Sequence, residues 1–292
     1  MKERLDKKSF IKYIVSVLLF GFNGIVASNI SVSSYDIVFF RTLFGSLLLV
    51  SLFFITGGKF SFRKNQRDII YITLSGVSMG ASWMFLYEAY DQIGVSLASI
   101  LYYFGSVIVM ILSPIIFKEK FTLPKIAGFI VVIVGIVLVN QRAVTDGLST
   151  FGIVCGFLSA ITYFFMVVLN KKSKNITGIE NSAIQLVASF ITLAIFVGIK
   201  QQFVFYIPAS DWPWLLLLGL LNTGFGCYLY FSSLAKLPAQ TVALCGNLEL
   251  FSAVIFSAIF LHDNLSFWQN AGAILIVSGT MIGEMIKTKR NK

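Results

Sequence analysis

The chain has 292 residues, 57% hydrophobic and only 12% charged, against roughly 45 to 50% and 25% in soluble domains. A mean hydropathy of +0.85 excludes a water-soluble globule, which has no use for so much apolar surface. The formal net charge of +10 would suit a nucleic-acid partner, but the basic residues lie between apolar stretches instead of in one patch, so no nucleic acid is expected.

A hydrocarbon core of about 30 Å takes about 20 apolar residues per helix. Spans of that kind are expected at 10–30, 35–57, 68–91, 95–117, 123–142, 151–170, 180–200, 212–235, 238–261 and 266–287. Their hydrophobicity is continuous, which favours helices over a barrel of alternating strands about 10 residues long. The first run follows Lys2, Arg4, Lys7, Lys8 and Lys12 and could also serve as a secretory signal, with Val26-Ala27-Ser28 a weak cleavage site. Its removal would leave an odd number of spans and upset the charge pattern, so it is read as a span.

Lys59, Arg63, Lys64 and Arg67 come after the second run, Lys118, Lys120 and Lys125 around the end of the fourth, and Lys171, Lys172 and Lys174 after the sixth. Lys236 and the tail residues Lys287, Lys289, Arg290 and Lys292 complete the set, so every Lys and Arg except Arg41, Arg142 and Lys200 falls on one face. This positive-inside asymmetry predicts both termini cytoplasmic and an even number of spans, in a multi-pass protein of a bacterial cell inner membrane.

The sequence also repeats. Phe117, Glu119, Phe121, Ala127, Gly128 and Gly135 recur as Leu261, Asp263, Leu265, Ala271, Gly272 and Gly279 at a spacing of 144, while Trp83 and Tyr87 meet Gly226 and Tyr230 one residue out of register. Five spans per half is an odd number, so the second half enters the membrane from the opposite side. The expected fold is all-α and integral to the membrane: ten transmembrane helices in a 5+5 inverted repeat, residues 1–145 and 146–292, joined through the polar stretch 141–150. Inverted repeats give secondary carriers two mirror-related states around a site near the midplane. Gly76-xxx-Gly80, Gly152-xxx-Gly156 and Gly279-xxx-Gly283 are close-packing motifs, the last a candidate dimer face, and the chain is expected to be a monomer or a homodimer. Cys155, Cys227 and Cys245 form no CxxC pair and are read as small packing residues.

Ionisable groups inside hydrocarbon cost roughly 3 kcal/mol at a helix centre and less near the ends. Glu249 stands about 17 Å into its span at 1.5 Å per residue, close to the midplane, and shares a helical face with Thr241, Cys245 and Ser252. A carboxylate there holds its charge only against a cation or donors, so Glu249 is either a proton- or ion-coupling group or a structural acid. Arg41, about 9 Å deep, is either a fold-stabilising partner of an acid such as Glu88 or a ligand for a substrate carboxylate. Glu88 lies near a span end and is limited to a rim or gate; Glu284 is expected to be solvated. Trp83 and Tyr87, on one face with Gly76 and Gly80, match a counterpart face of Asn222, Gly226, Tyr230 and Ser233. Tyr102, Tyr103, Ser99, Ser106, Asn23, Tyr163 and Asn247 complete the candidate lining, since pockets for small organic molecules join aromatic walls to a few fixed polar groups. His262 is the lone histidine, and no P-loop is present, so neither a metal site, a triad hydrolase nor ATP-driven transport is supported, and no cofactor is expected.

Phe40-Arg41, Lys118-Glu119-Lys120 followed by Ala127-Gly128 and Gly135, and Leu248-Glu249 with Asp263-Asn264-Leu265 occur in an order and spacing that resembles the EamA-type ten-helix members of the drug/metabolite transporter superfamily. The resemblance covers nearly the whole chain. It implies a cavity lined mainly by the first, third, fourth, sixth, eighth and ninth spans. Ser106 and Leu250 stand where such proteins usually carry proline, which puts any helix break at those places in doubt. The expected function is secondary transport of a small organic solute, an amino acid, related metabolite or amphipathic compound, across the inner membrane by alternating access and in the direction of export or exchange; proton or ion coupling and facilitated diffusion are both open. Uptake of a nutrient or osmolyte is the alternative, and a lipid-modifying membrane enzyme the remote one.

Overall fold

The computed structural model describes residues 6–58, 65–140, 149–262 and 265–289. Of the positions used above, Lys2, Arg4, Lys59, Arg63, Lys64, Arg142, Asp263, Asn264, Arg290 and Lys292 lie outside the described residues, as do residues 141–148 of the expected boundary and the side chains of Lys287 and Lys289.

Among the described residues every regular element is helical: α1 (Lys7–Gly21), α2 (Asn23–Ala27), α3 (Ser34–Ile55), α4 (Gln66–Phe117), α5 (Leu123–Val139), α6 (Thr150–Lys172), α7 (Gly178–Gln201), α8 (Trp212–Leu217), a π-helical stretch (Leu218–Phe225), α9 (Gly226–Leu234), α10 (Ala239–Gly246), α11 (Leu248–Phe260) and α12 (Phe267–Lys289). Local chemistry sets several boundaries. Asp6, Ser33 and Ser149 accept from backbone N–H groups in the first turns of α1, α3 and α6, supplying partners that a helix start lacks. Pro124 sits in the first turn of α5, where a missing N–H costs nothing.

Among the described residues seven helical stretches are long and apolar enough to cross a membrane, and α5 is a shorter apolar helix. Large apolar side chains face outward around the bundle, with Ile55, Ile115, Leu123 and Ile199 each more than three-quarters exposed, a surface that water would not tolerate. The core gathers Tyr13, Phe231, Leu234 and Leu244, each at most 1% exposed.

Several runs expected as unbroken helices are interrupted. The third and fourth expected spans form one helix, α4, whose 52 residues would stretch about 78 Å if straight. Gly94 interrupts it at φ 77°, ψ 158°, a conformation open essentially to glycine alone. The first span breaks at Phe22, the eighth passes through the π-helical stretch, and the ninth breaks at Asn247, between α10 and α11. The ninth-span break needs no proline, although the sequence lacks one there.

The glycine motifs mark internal contacts. A Cβ on Gly128 would run into the carbonyl of Gly279, and one on Gly135 would lie 2.7 Å from the carbonyl of Gly272. Because 272 and 279 repeat 128 and 135, each strip meets the other's counterpart, antiparallel. Gly283 faces Leu244, so the strip expected as a dimer face is occupied inside the chain. Gly76 and Gly80 pack on the α7 backbone at Gln185 and Ser189, and Gly152 and Gly156 pack on Gln92, Ile93 and Leu101 of α4.

One end of the bundle is cross-tied by polar contacts. Glu119 accepts from the backbone N–H groups of Ala239 (2.6 Å) and Gln240 (3.0 Å) at the start of α10. Lys171 donates to the Leu234 and Leu237 carbonyls. Glu284, expected to be solvated, is largely withdrawn instead: its side chain is 10% exposed, lies 3.9 Å from the Lys125 ammonium and accepts from the Thr241 hydroxyl at 2.9 Å. Thr241 is thereby turned to α12 and away from the face it was expected to share with Glu249.

Candidate functional site

A cavity of about 500 Å³ lies within the bundle. Its lining extends from Tyr13, fully buried, to Val95 and Ser96, both exposed, so it opens at the end carrying the Gly94 break and ends blindly above the cross-tied end.

Glu249 lines this cavity from the first turn of α11. The break at Asn247 sets its direction. An unbroken helix would have put Glu249 in line with Thr241 and Cys245, but neither of those lines the cavity, whereas Gly246, Asn247, Leu250 and Ala253 do. Asn247 is held at the break: its amide donates to the Ala243 carbonyl at 2.8 Å, and its Oδ1 accepts from the Ser106 hydroxyl at 3.3 Å. The Ser252 hydroxyl turns back to the Glu249 backbone carbonyl, 2.9 Å away. Among the described residues the Glu249 carboxylate has neither an ion pair nor a hydrogen-bond donor, and Arg41 lines the same cavity.

Arg41 is brought in from α3. Gly45 lets α3 approach the π-helical stretch, since a Cβ there would lie 3.1 Å from Gly219 O and Gly224 N. That approach places the Thr223 hydroxyl 2.9 Å from Arg41 Nε. The guanidinium lies over the Trp83 ring, 4.7 Å from its centroid, with Nη1 3.5 Å from the Tyr87 hydroxyl. Glu88 is not its partner. The Lys200 ammonium is 3.0 Å from that carboxylate, and the Tyr35 hydroxyl donates to it at 2.9 Å, which leaves Glu88 a closed pair near the open end.

Tyrosines make up much of the remaining wall. Tyr102 is edge-on to Tyr103 and Tyr163, with centroids 5.5 and 5.4 Å apart, and the Tyr163 and Tyr230 hydroxyls are 3.5 Å apart. Asn23, at the start of α2, Trp83 and Tyr87 also line the cavity, as do Ser99 and Ser106. Among the described residues no cluster of His, Cys, Asp and Glu is placed to hold a metal ion.

Asn222 departs from the expected face. It is fully buried behind the lining, its amide donating to Asn23 Oδ1 at 2.9 Å. The reason is the π-helical stretch: wider turns rotate the faces, so Leu218, Cys227 and Tyr230 reach the cavity while Asn222 and Gly226 do not. Gly76 and Gly80 are likewise packing positions, and Ser233 bonds back to its own helix at the Leu229 carbonyl. Three contributors went unread in the sequence: Tyr13, Tyr90 and Thr223. Tyr13 had a signal, because Tyr13, Val17, Phe20 and Gly24 follow helical spacing on one face with the cavity. Thr223 had none, since its face depends on the π-helical register.

The EamA-like transporter family matches the sequence twice, over residues 8–141 and 150–283. The chain belongs to the EamA-like transporter family. As an EamA-like chain with this many apolar helices, it is a multi-pass membrane protein and a member of a family of transporters, and the cavity takes its wall from both matched copies. It is similar to the uncharacterized transporter YxxF of Bacillus subtilis (strain 168), 23% identical over 274 residues, covering 92% of this chain and 87% of that protein. YoaV, an uncharacterized transporter of the same organism, is 24% identical over 290 residues, covering 95% and 97%. Solute carrier family 35 member G1 of Homo sapiens is 23% identical over 282 residues, covering 92% and 76%. A solved crystal structure superimposes with a TM-score of 0.80 at 13% identity, covering 95% of this chain and 98% of that one, a likeness of fold. The EamA-like cavity also takes Arg41 from the second expected span and Asn140 from the end of the fifth, beyond the six spans the resemblance implied.

Proposed function

We propose that the protein is a secondary carrier that moves a small organic solute across the cell inner membrane by alternating access, with export or exchange the working direction. In this reading α4 crosses twice about Gly94, and α5 and α12 each cross once, which makes ten spans in a 5+5 inverted repeat divided at 145/146, both termini cytoplasmic. The antiparallel exchange of glycines between α5 and α12 supports it, because a strip that meets its own repeat upside down is what inversion requires. The observation that carries the reading is the cavity itself: it is lined from both copies, open at one end and tied shut at the other, and holds an acid and a base that are not engaged with each other. The closed end is then the cytoplasmic one, and the state is outward-facing.

Transport needs no bound cofactor in this scheme, and Glu249 takes up a proton or cation as the solute leaves. An exchange assay tests it. Purified protein in liposomes, preloaded with a mixture of amino acids, amines, nucleosides and organic anions, should take up at least one labelled member saturably and faster when that member is also inside. Absence of trans-stimulated uptake across the whole mixture would overturn the carrier reading.

A further inference from the structure

Arg41 is a permanent cation with a residue exposure of 6%, deep in an apolar bundle, yet among the described residues no carboxylate is within ion-pairing distance of it. A buried charge without a counter-charge is costly. The two acids placed to answer it do not. Glu88 is engaged by Lys200 and Tyr35, and Glu249 lines the same cavity but makes no ion pair with Arg41. What does contact the guanidinium is neutral: the Thr223 hydroxyl on Nε, the Tyr87 hydroxyl at the limit of Nη1, and the face of Trp83.

Those three contacts fix the group's plane and leave its outer edge to the cavity. A guanidinium offers five donors in a rigid fork suited to a carboxylate, and with Nε committed to Thr223 the remaining donors are on the Nη atoms. Trp83 stacks on one face, so the fork cannot rotate freely. Thr223 stands in the π-helical stretch, where wider turns are a recurrent mark of functional sites, and the register there is what delivers its hydroxyl to Arg41.

We propose that the cavity is built for a solute bearing a carboxylate, that Arg41 is the ligand for that carboxylate, and that Thr223 is the positioning residue that aims it. The proposal rests on the carrier reading for its setting but concerns binding alone. The rest of the solute lies along the tyrosine wall of Tyr102, Tyr103 and Tyr163, so an aryl carboxylate fits both features.

Trp83 provides a reporter. In a variant whose other tryptophans, Trp212, Trp214 and Trp268, are phenylalanine, Trp83 fluorescence in detergent is titrated with acetate, 3-phenylpropionate, phenylalanine and the uncharged 3-phenylpropanamide. The expected result is a saturable change with 3-phenylpropionate or phenylalanine and none with the amide at the same concentrations. Thr223→Val should weaken the carboxylate response about tenfold, Thr223→Ser should restore it, and Arg41→Lys should weaken it by at least as much as Thr223→Val, because a lysine keeps the charge but loses the fork. Thermal unfolding of each variant verifies folding, and the serine rescue separates aiming from mere packing. Equal binding of acid and amide, no response to any carboxylate, or a Thr223→Val protein that binds as tightly as the parent would each overturn the proposal. Liposome exchange run on the same preparations keeps the two readings apart: exchange without carboxylate selectivity overturns this proposal and leaves the carrier standing, whereas selective binding without exchange overturns the carrier and leaves this proposal standing.

Discussion

Asp68 Oδ2 accepts from both the backbone N–H and the side-chain amide of Asn175, at 2.7 and 2.8 Å, and so ties the start of α4 to the turn after α6. Asp211 does the same for Ser31, whose backbone N–H and hydroxyl donate to one of its carboxylate oxygens at 2.7 and 2.8 Å. The two aspartates are 143 residues apart and their partners 144, the offsets of the sequence repeat. Each copy thus contributes an acid that holds a turn of the other.

Removing either acid strands donors that were satisfied. Asp68→Ala should lower stability by about 2 to 3 kcal/mol, since hydrogen bonds to charged groups are the stronger kind, and Asp211→Ala should lower the thermal midpoint in the same direction. Thermal midpoints in detergent check this, and the two losses should add, because the clamps share no partner. A double variant no worse than either single one would show that they act as one unit.

The Asp211 clamp carries a pH signature. The Ser31 hydroxyl and then its backbone N–H hold the Asp211 carboxyl below the usual carboxylate range. A group depressed in the folded state stabilises it above its unfolded value, about 3.9 for aspartate, and that contribution is lost as pH falls through the folded value. The stability gap between the parent and Asp211→Ala should therefore be full at pH 7 and narrow below about pH 4. A gap unchanged down to pH 3 would contradict the assignment.

At the closed end, the Glu119 carboxylate caps the first N–H groups of α10. Charge at a helix start is worth about 0.3 to 1 kcal/mol and a cap about 1 kcal/mol, so Glu119→Gln should cost less than Glu119→Ala. Cys245, at the far end of α10 and fully buried, is the reporter. Maleimide labelling of Cys245, with Cys155 and Cys227 replaced by alanine, should accelerate severalfold in Glu119→Ala. Unchanged labelling would mean that the cap does not hold this end shut.

Gly128→Ala and Gly279→Ala insert a methyl group into the same contact from opposite sides. Each should cost about 1 to 3 kcal/mol through overpacking, and the pair less than the sum, because the first displacement makes room for the second. Additive losses in thermal midpoint would indicate that the strips are not in register.

Apolar periodicity made the helices legible, and the 144-residue repeat matched Gly128 with Gly272 and Gly135 with Gly279, but that the strips meet antiparallel, Gly128 on Gly279, came from the structure alone. The polar wall was also largely legible, because an amide, a carboxylate or a guanidinium in an apolar run has few reasons to be there, and Glu249, Asn247, Asn23 and Arg41 do lie around one cavity. What escaped is register. Face arguments assume 3.6 residues per turn, and they fail within the π-helical stretch, which hid Asn222 behind the lining and brought Thr223 to Arg41. They fail again at Asn247, where a break without proline separates Thr241 from Glu249. Partner choice escaped too: the withdrawal of Glu284 beside Lys125 and the pairing of Glu88 with Lys200 depend on which helices touch, which no single helix reveals.

The glycine exchange between α5 and α12 has a further consequence. A surface that fits its own repeat when turned over is self-complementary, as in a two-fold dimer, where one patch serves as both lock and key. Within one chain this makes each half a template for the other: a change to one strip spoils only half of the seam and leaves its twin intact, so damage there is graded and a compensating change can arise in either half. The same geometry means that two separately made halves would already possess the seam along which to find each other.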